Sequence, residues 1–518
     1  MTDQKNKSSE PSIEPSIWGH PKGLFYLFFA ELWERFSFYG MRALLTLYMV
    51  NKVFESLATR DATSAAIYAS YGSLVYAFAV MGGKIADTML GFRRSIILGG
   101  ILMAIGQFVL AFHENENAVF FMGLAFIIVG NGFFKPNISS FVGTLYPPND
   151  KRKDSGFTIF YMGINIGGFI APLICGWLAR EYGWGWGFSS AGFGMILGLL
   201  VFYSGGKNGI FGDKGLPPDE NRLNNRVMGL KIKTIIPLSA LILVPIIALS
   251  ISLYNPISGG ESIIGDSNLV NLLFQIFGIL IAIYLVYILW SCTVDERKKL
   301  IVALFLTVFM TIFWGFGELS GSIITLFADR NVNLGFINAA QSNAIWPLFV
   351  IILALPVSYL WTIMSKHKIN PYTPYKFVIG MTFMGIAFMV LSMSKGFADQ
   401  HGNVSILFLF ALYLLITIGE LFMSPVGLSK ITDLSPGRYM AFMMGVWFLS
   451  SAYAFQIVGF IGKKLAIEGE GNGILVSGWD TLGIYTDGFS LIAKYAIGAS
   501  VFMLILAPIL KKWMGNVH

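Results

Sequence analysis

The chain is a succession of long apolar segments separated by short polar stretches. Each apolar segment is about 20 residues long, the length that an α-helix needs to cross the hydrocarbon core of a bilayer. The pattern predicts fourteen membrane-spanning helices. The predicted spans are 24–51, 63–88, 95–112, 118–145, 156–179, 187–205, 233–253, 268–292, 299–327, 338–364, 375–394, 404–430, 439–462 and 488–510.

The longest polar interruption, residues 206–232, follows the sixth predicted span. We interpret the seventh and eighth spans as an insertion between two halves of six helices each. The predicted parts are a cytoplasmic amino-terminal tail (1–22), a six-helix bundle (23–205), a cytoplasmic linker with two inserted helices (206–297), a second six-helix bundle (298–511) and a cytoplasmic carboxy-terminal tail (512–518).

An internal repeat relates the two halves. Residues 130–147 (GNGFFKPNISSFVGTLYP) align without gaps to residues 419–436 (GELFMSPVGLSKITDLSP). Both lie in the fourth span of their half and run in the same direction, so the repeats are parallel, as in major facilitator transporters. The alternative is chance similarity between two helices containing Gly and Pro. The predicted fold class is thus an all-α polytopic membrane protein with the major facilitator fold.

Composition agrees with a membrane protein and excludes several other classes. Of the 518 residues 55% are hydrophobic and 13% charged, and the mean hydropathy is +0.66, whereas about a quarter of a soluble domain is charged. The two cysteines, Cys175 and Cys292, argue against a disulfide framework or a Cys-based metal site. No metal site, phosphate loop or catalytic Ser/His/Asp arrangement stands out, and we expect no nucleic-acid partner despite the net charge of +7.

The distribution of the 36 basic residues orients the predicted spans. With the amino terminus in the cytoplasm and residues at span ends counted with the adjoining loops, 24 basic residues fall on the cytoplasmic side, 7 on the outer side and 5 within spans. Cytoplasmic loops of membrane proteins carry the excess of Lys and Arg. The count therefore predicts that both termini are cytoplasmic and that residues 254–267 form an outer loop.

Charged residues inside the predicted spans indicate a polar pathway. The first span contains ELWERFSFYGMR (31–42), whose Glu31, Glu34, Arg35 and Arg42 share one helix face. Three further charges lie in other spans: Lys135, Glu318 and Glu420. Seven charges facing lipid would cost about 17–25 kcal/mol. We therefore expect them to share a wet central cavity, where they largely pair.

The balance of these charges suggests a role for protons. Four acids face three bases, so one carboxylate lacks a full partner and, in a partly desolvated cavity, could take up a proton near neutral pH. The alternative is a static salt-bridge network that only holds helices together.

Two further motifs carry polar side chains at positions suited to transport. GGKIADTMLGFRR (82–94) joins the second and third spans, where Asp87 with Arg93 and Arg94 could latch and release across the interface between the halves. FTIFYMGINIGGFIAP (157–172) places Tyr161 and Asn165 one turn apart. An ordinary interhelical hydrogen bond is the alternative for Asn165.

Six motifs together resemble the signatures of proton-dependent oligopeptide transporters. They are ELWERFSFYGMRALL (31–45), GNGFFKPN (130–137), FTIFYMGINIGG (157–168), FWGFGELSGS (313–322), GELFMSPVGLS (419–429) and FMMGVWFLSS (442–451). They extend over nearly all of the membrane-embedded chain, and several are specific to this family. The inserted helix pair is similar to the extra pair of bacterial members.

The resemblance implies a symporter, and not an enzyme, that imports di- and tripeptides by alternating access with protons as the coupling ion and no other cofactor. It implies a multi-pass protein of the bacterial inner membrane that works as a monomer. Its partners would be the peptide, protons and the lipid bilayer.

The resemblance also assigns roles to individual residues. It assigns proton coupling to Glu31, Glu34, Arg35, Lys135 and Glu318. By the resemblance, the peptide carboxylate is bound by Arg35, Arg42 and Lys135. The peptide amine is bound by Glu420 and Asn165. Arg42 and Glu318 form an outer gate pair. The remaining pocket positions are Phe38, Tyr39, Tyr76, Tyr161, Trp346, Ser424 and Trp447.

Three positions depart from the family pattern and leave the substrate range open. Phe38 replaces a Tyr, Leu319 replaces a Gln, and Trp346 replaces an Asn that helps to hold the peptide amine. These changes predict a pocket that prefers apolar or aromatic side chains. They also permit a relative that carries another small solute, such as nitrate or a peptide-like amphiphile. A non-transporting sensor is the third possibility, which the full set of buried charges disfavours.

Overall fold

A computed structural model describes residues 16–113, 117–147, 150–227, 229–252, 269–367, 369–467 and 478–515. The predicted outer loop 254–267 lies outside these residues. The described chain is almost entirely helical, which confirms the all-α class. Three two-stranded sheets are the exception, and none exceeds four residues in total. They pair β1 (Ser16–Ile17) with β2 (His20–Pro21), β3 (Arg226–Val227) with β4 (Leu230–Lys231), and β5 (Val332–Asn333) with β6 (Val404–Ser405).

The helices follow the predicted order. The first half comprises α1 (Lys22–Tyr48), α2 (Arg60–Ile85), α3 (Gly91–Phe112), α4 (Asn117–Thr144), α5 (Lys153–Tyr182) and α6 (Trp184–Lys207). The linker contains α7 (Glu220–Asn224), followed by the inserted pair α8 (Ile232–Ser252) and α9 (Leu269–Ser291). The second half comprises α10 (Val294–Gly317), α11 (Ile323–Asn331), α12 (Ala339–Ser342), α13 (Ile345–Lys366), α14 (Thr373–Met393), α15 (Leu407–Leu434), α16 (Met440–Lys464) and α17 (Gly478–Met514).

Fourteen of the described helices have 21 residues or more. By length and composition the described residues contain twelve candidate membrane spans. The difference arises because α2 and α3 continue into each other through a π-helical turn (Ala86–Leu90) as one 53-residue stretch, and because the charged α1 is not among the twelve. The count of fourteen membrane crossings therefore stays a prediction.

Two bundles form and meet along two seams. In the first half α1 packs against α5 and α6, and α3 against α4 and α6; in the second half α14 packs against α15 and α17. The seams between the halves pair α2 with α16 and α5 with α13. Ser73 of α2 donates a hydrogen bond to the Ala452 carbonyl of α16 at 2.9 Å and accepts one from Gln456 at 2.7 Å. We call the face where α1 begins and α17 ends the terminal face, and the opposite face the distal face.

The internal repeat appears as two equivalent helix crossings. A methyl group on Gly130 of α4 would lie 2.6 Å from the Gly99 carbonyl oxygen of α3, and one on Gly419 of α15 would lie 2.8 Å from the Gly380 carbonyl oxygen of α14. Both pairs join the third and fourth long helices of their half. Glycine lets two helix backbones approach this closely inside a membrane, so the repeat conserves a packing contact.

The inserted pair lies over the α2–α16 seam. α8 packs against α4 and α2, and the Tyr453 hydroxyl of α16 donates to the Phe274 carbonyl of α9 at 2.9 Å. Phe274 and Val270 form a small apolar cluster with Leu449 and Ala452. The pair thus contacts both halves rather than only the linker that precedes it.

Two predicted spans, 299–327 and 488–510, differ from the structure in their continuity or bounds. The span 299–327 is broken, since α10 ends at Gly317 and a 3₁₀ turn (Glu318–Gly321) precedes α11. α10 also begins five residues earlier than predicted, because Thr293 and Glu296 form a capping box. α17 begins ten residues before the predicted span 488–510. Thr481 and Thr486 in its polar first turns are buried, and Thr481 donates to Asn331 Oδ1 of α11 at 3.0 Å.

Candidate functional site

A cavity of about 910 Å³ lies between the two halves. It is bounded mainly by α1 and α5 on one side and by α10, α13 and α15 on the other. Eight residues predicted from the sequence for the substrate pocket line it: Tyr39, Arg42, Tyr161, Asn165, Glu318, Trp346, Glu420 and Ser424. Cavities of 300–1,000 Å³ with apolar walls and a few convergent polar groups are typical of small-molecule sites.

An ion pair closes the distal end of this cavity. Arg42 Nη2 lies 2.5 Å from Glu318 Oε2. The Arg42 guanidinium also donates to the Tyr68 hydroxyl at 2.7 Å and to Ser320 Oγ at 2.9 Å. α1, α2 and the 3₁₀ turn are thereby joined at one point. The family resemblance assigns Arg42 and Glu318 to an outer gate pair, and that gating role stays a prediction.

The 3₁₀ turn that carries Glu318 depends on a glycine. A Cβ at Gly321 would collide with the Tyr68 hydroxyl and lie 2.8 Å from Arg42 Nε. The Gly321 carbonyl accepts a hydrogen bond from Thr46 Oγ1 at 2.7 Å. Small residues in GELSGS therefore let the turn approach α1 and α2 closely enough for Glu318 to reach Arg42.

A second ion pair between the halves lies nearer the distal face. Both terminal nitrogens of Arg330, on α11, contact the Asp61 carboxylate of α2, at 2.5 and 2.8 Å. Arg330 also donates to the Tyr485 hydroxyl of α17 at 2.8 Å. Asp61 is buried, and the bidentate geometry is the strong form of such a pair. The predicted spans 299–327 and 338–364 leave Arg330 in the outer loop between them, and no role was predicted for Asp61.

Glu31, Glu34 and Arg35 form a buried cluster beside the cavity without lining it. Arg35 contacts both oxygens of Glu34 and lies 3.3 Å from Glu31 Oε1. Asn131 of α4 donates to Glu34 Oε1 at 3.3 Å. Glu31 Oε2 has no hydrogen-bond partner among the described residues. Within this cluster Glu31 is thus the less completely paired carboxylate.

Lys135 extends into an aromatic environment next to this cluster. Its ammonium lies 4.2 Å from the centre of the Tyr76 ring, and no described carboxylate is within 4.0 Å of it. The Arg35 guanidinium lies over the Phe38 ring at 5.1 Å. In this conformation Arg35, Phe38, Tyr76 and Lys135 do not line the cavity, and neither does Trp447, which is buried. Their substrate roles stay predictions.

Glu420 provides an acidic group on the opposite wall. The Trp346 indole N–H donates to Glu420 Oε2 at 2.9 Å, and the Trp346 ring stacks between Trp314 and Tyr413 at 6.1 Å from each. Trp346 therefore contributes a polar contact as well as aromatic surface, which corrects the expectation that it only removes one. The Asn165 side-chain amide donates to the Tyr161 carbonyl at 3.0 Å, within α5.

The cavity extends from this polar centre to the terminal face. The residues Ser139, Thr158, Ser358, Asn370 and Lys376 line that part of it. Tyr161 is 40% exposed although it lies between helices. The halves are in contact at the distal face and separated toward the terminal face, so the structure is open on one side.

Two of the three residues predicted for the terminal-face latch contact other groups in this conformation. Arg94 pairs with Glu220 of α7 at 2.8 Å, and Arg93 donates to the Gly212 carbonyl of the linker. Asp87 is exposed in the π-helical turn. All of these contacts lie within the first half and its linker, as the open terminal face requires, and the gating roles stay a prediction.

The chain is similar to known proteins over most of its length. Residues 93–466 match the POT family. The chain is 37% identical over 471 residues to peptide transporter YePEPT of Yersinia enterocolitica, covering 88% of this chain and 89% of that protein. It is 33% identical over 512 residues to dipeptide and tripeptide permease A of Yersinia pestis, covering 97% and 95%. A crystal structure of a mutant of peptide transporter POT in complex with alafosfalin is similar with a TM-score of 0.79 and 34% identity, over 97% of this chain and 98% of that one.

Proposed function

The chain belongs to the POT family, and from this premise we propose that it is a symporter that imports di- and tripeptides together with protons by alternating access. The cavity between the two parallel repeats carries the proposal. It has the size of a small-molecule site and is closed at one face and open at the other. A carrier that alternates between two such states moves its substrate without an open pore.

The charges in the cavity suit a zwitterionic peptide. Glu420 and Asn165 would receive the amino terminus, and the apolar walls around Trp346 would accept side chains. Arg42 is the basic group at the centre, and its partner in this state is Glu318. In the state open at the distal face, where this pair has separated, Arg42 would be free to bind the peptide carboxylate.

Protons would couple to peptide through the same charges. A proton on Glu318 would remove the anionic partner of Arg42 and so weaken the distal closure. A proton on Glu31 would find an oxygen that has no other partner among the described residues. Glu34, Arg35 and Lys135 would transmit the change, since Arg35 contacts both glutamates.

We infer that the protein resides in a bacterial inner membrane with both termini cytoplasmic and acts as a monomer. The excess of basic residues on the terminal side supports this orientation. The open terminal face is then the cytoplasmic face, and the structure corresponds to the inward-open state.

Uptake of labelled Ala-Ala into proteoliposomes tests the proposal. We expect accumulation above the outside concentration only when an inward proton gradient is imposed, and inhibition by excess unlabelled dipeptide but not by nitrate. Inhibition by nitrate would indicate a carrier of another solute. Absence of any uptake under either condition would contradict transport of peptides.

A further inference from the structure

We propose that Lys376, at the terminal end of the cavity, binds the carboxylate of the peptide in the state that this structure describes. The inference rests on the proposed function and adds a substrate contact on α14 to it. It concerns a residue at the start of the predicted span 375–394, which the sequence pattern counts with the cytoplasmic basic residues.

Lys376 is a buried cation that lines the cavity. It lies in the first turn of α14, and only 9% of its surface is exposed. Its ammonium is 4.1 Å from the centre of the Trp361 ring of α13, which lines the cavity as well. No described carboxylate lies within 4.0 Å of this ammonium. A cation–π contact occupies one side of an ammonium group and leaves its remaining N–H donors for a ligand.

The other cations near the cavity are already occupied or out of reach. Among the described lining residues only Arg42 and Lys376 are basic. Arg42 is neutralised by Glu318 at 2.5 Å. Arg35 and Lys135 do not line the cavity, and Arg35 contacts Glu34 and Glu31. A carboxylate that enters the cavity in this state therefore meets one basic group that lacks an anionic partner.

The position of Lys376 suits release toward the terminal face. Trp361, beneath its ammonium, stacks edge-on against Phe422 of α15 at 4.8 Å, and Phe422 is two residues from Glu420. Glu420, Trp361 and Lys376 all line the cavity from the second half, with Lys376 nearer the terminal face. When the Arg42–Glu318 pair forms again, the peptide carboxylate can move from Arg42 to Lys376 before the peptide leaves.

Competition binding to the purified protein tests this step. The inhibition constants of Ala-Ala and of Ala-Ala amide are measured against labelled Ala-Ala for the wild type and for Lys376→Gln. The amide lacks the negative charge, so we expect the wild type to prefer the free acid by about tenfold or more. In Lys376→Gln that preference should fall severalfold, while the affinity for the amide stays unchanged and so reports an intact fold.

Two variants make the outcome specific. Lys376→Arg should keep the preference for the free acid, since it keeps the charge. Lys366→Gln removes an exposed lysine from the end of α13 on the same face, outside the cavity, and should behave as the wild type. An undiminished preference in Lys376→Gln would overturn the inference and leave the proposed function intact. Failure of the wild type to bind either peptide would contradict the proposed function itself.

Discussion

At the residue scale, the buried charges are arranged in three groups with different degrees of pairing. Arg42 forms a close ion pair with Glu318, and Arg330 forms another with Asp61. Arg35 forms ion pairs with two glutamates, Glu31 and Glu34. In the Arg35 group Glu31 is the less completely paired carboxylate, because its second oxygen has no partner among the described residues. An excess carboxylate next to a solvated cavity is the arrangement that proton coupling needs.

Glu31→Gln should abolish accumulation of peptide while leaving exchange. A proton entering down 100 mV contributes about 2.3 kcal/mol, which corresponds to roughly a fifty-fold peptide gradient. The amide cannot carry that proton, so labelled Ala-Ala should still exchange against internal peptide but should no longer concentrate. Glu220→Gln, at the exposed pair with Arg94, is the matched control. Accumulation by Glu31→Gln at the wild-type level would contradict the assignment.

Trp346→Phe should weaken binding of peptides that carry a free amino terminus. A smaller aromatic ring remains, and the N–H that orients Glu420 is lost. Because a hydrogen bond to a charged group contributes about 1.5–3 kcal/mol, we expect a loss of affinity for Ala-Phe of about tenfold. The affinity for N-acetyl-Ala-Phe should change little. Trp314→Phe, in the neighbouring stacked ring, is the control, and an equal loss there would point to packing instead.

At the scale of the elements, helix bounds follow hydropathy only where a span is uniformly apolar. A pattern averaged over about 20 residues cannot find the 3₁₀ turn at Glu318, because the residues on both sides remain apolar. The same averaging excludes the polar start of α17, which is stabilised by its contact with Asn331. Lys376, at the start of the predicted span 375–394, is counted with the cytoplasmic basic residues, since a lysine at a span end has the pattern of an interfacial residue.

The repeated glycine contacts are a property of helix pairs that can be tested directly. Gly130→Ala and Gly419→Ala should each lower the thermal stability of the purified protein. In both cases the added methyl group would meet a backbone carbonyl of the neighbouring helix, and overpacking of this kind costs about 1–3 kcal/mol. Gly498→Ala in α17 introduces the same group into open space and should be neutral. Neutral effects at both repeat positions would contradict the proposed equivalence.

At the scale of the whole molecule, most of the fold and part of the site could be predicted. The sequence analysis predicted the long helices, the repeat and the eight residues of the pocket that line the cavity. The Asp61–Arg330 pair could not be found, because it joins helices 269 residues apart in the chain and neither residue lies in a recognisable motif. Pairing across the interface of two halves depends on their relative position, which local patterns do not contain.

The orientation of the molecule can be tested at exposed positions on opposite faces. Phe336, 94% exposed on the distal face, should become accessible from outside intact cells when changed to Cys in a background without Cys175 and Cys292. Asp295→Cys, whose parent side chain is 91% exposed at the start of α10, is the terminal-face control. An impermeant maleimide should label the first variant in intact cells and the second only after permeabilisation. The reverse pattern would invert the proposed topology.

The central claim is that peptide and proton cross the membrane together, and the most direct test measures the proton. Proteoliposomes containing a pH-sensitive dye, with no initial pH difference and the voltage clamped, receive Ala-Ala on the outside. The account predicts that the peptide gradient alone acidifies the interior, and that Glu31→Gln vesicles exchange labelled peptide without acidifying. Entry of labelled peptide into wild-type vesicles with no change in internal pH would contradict it.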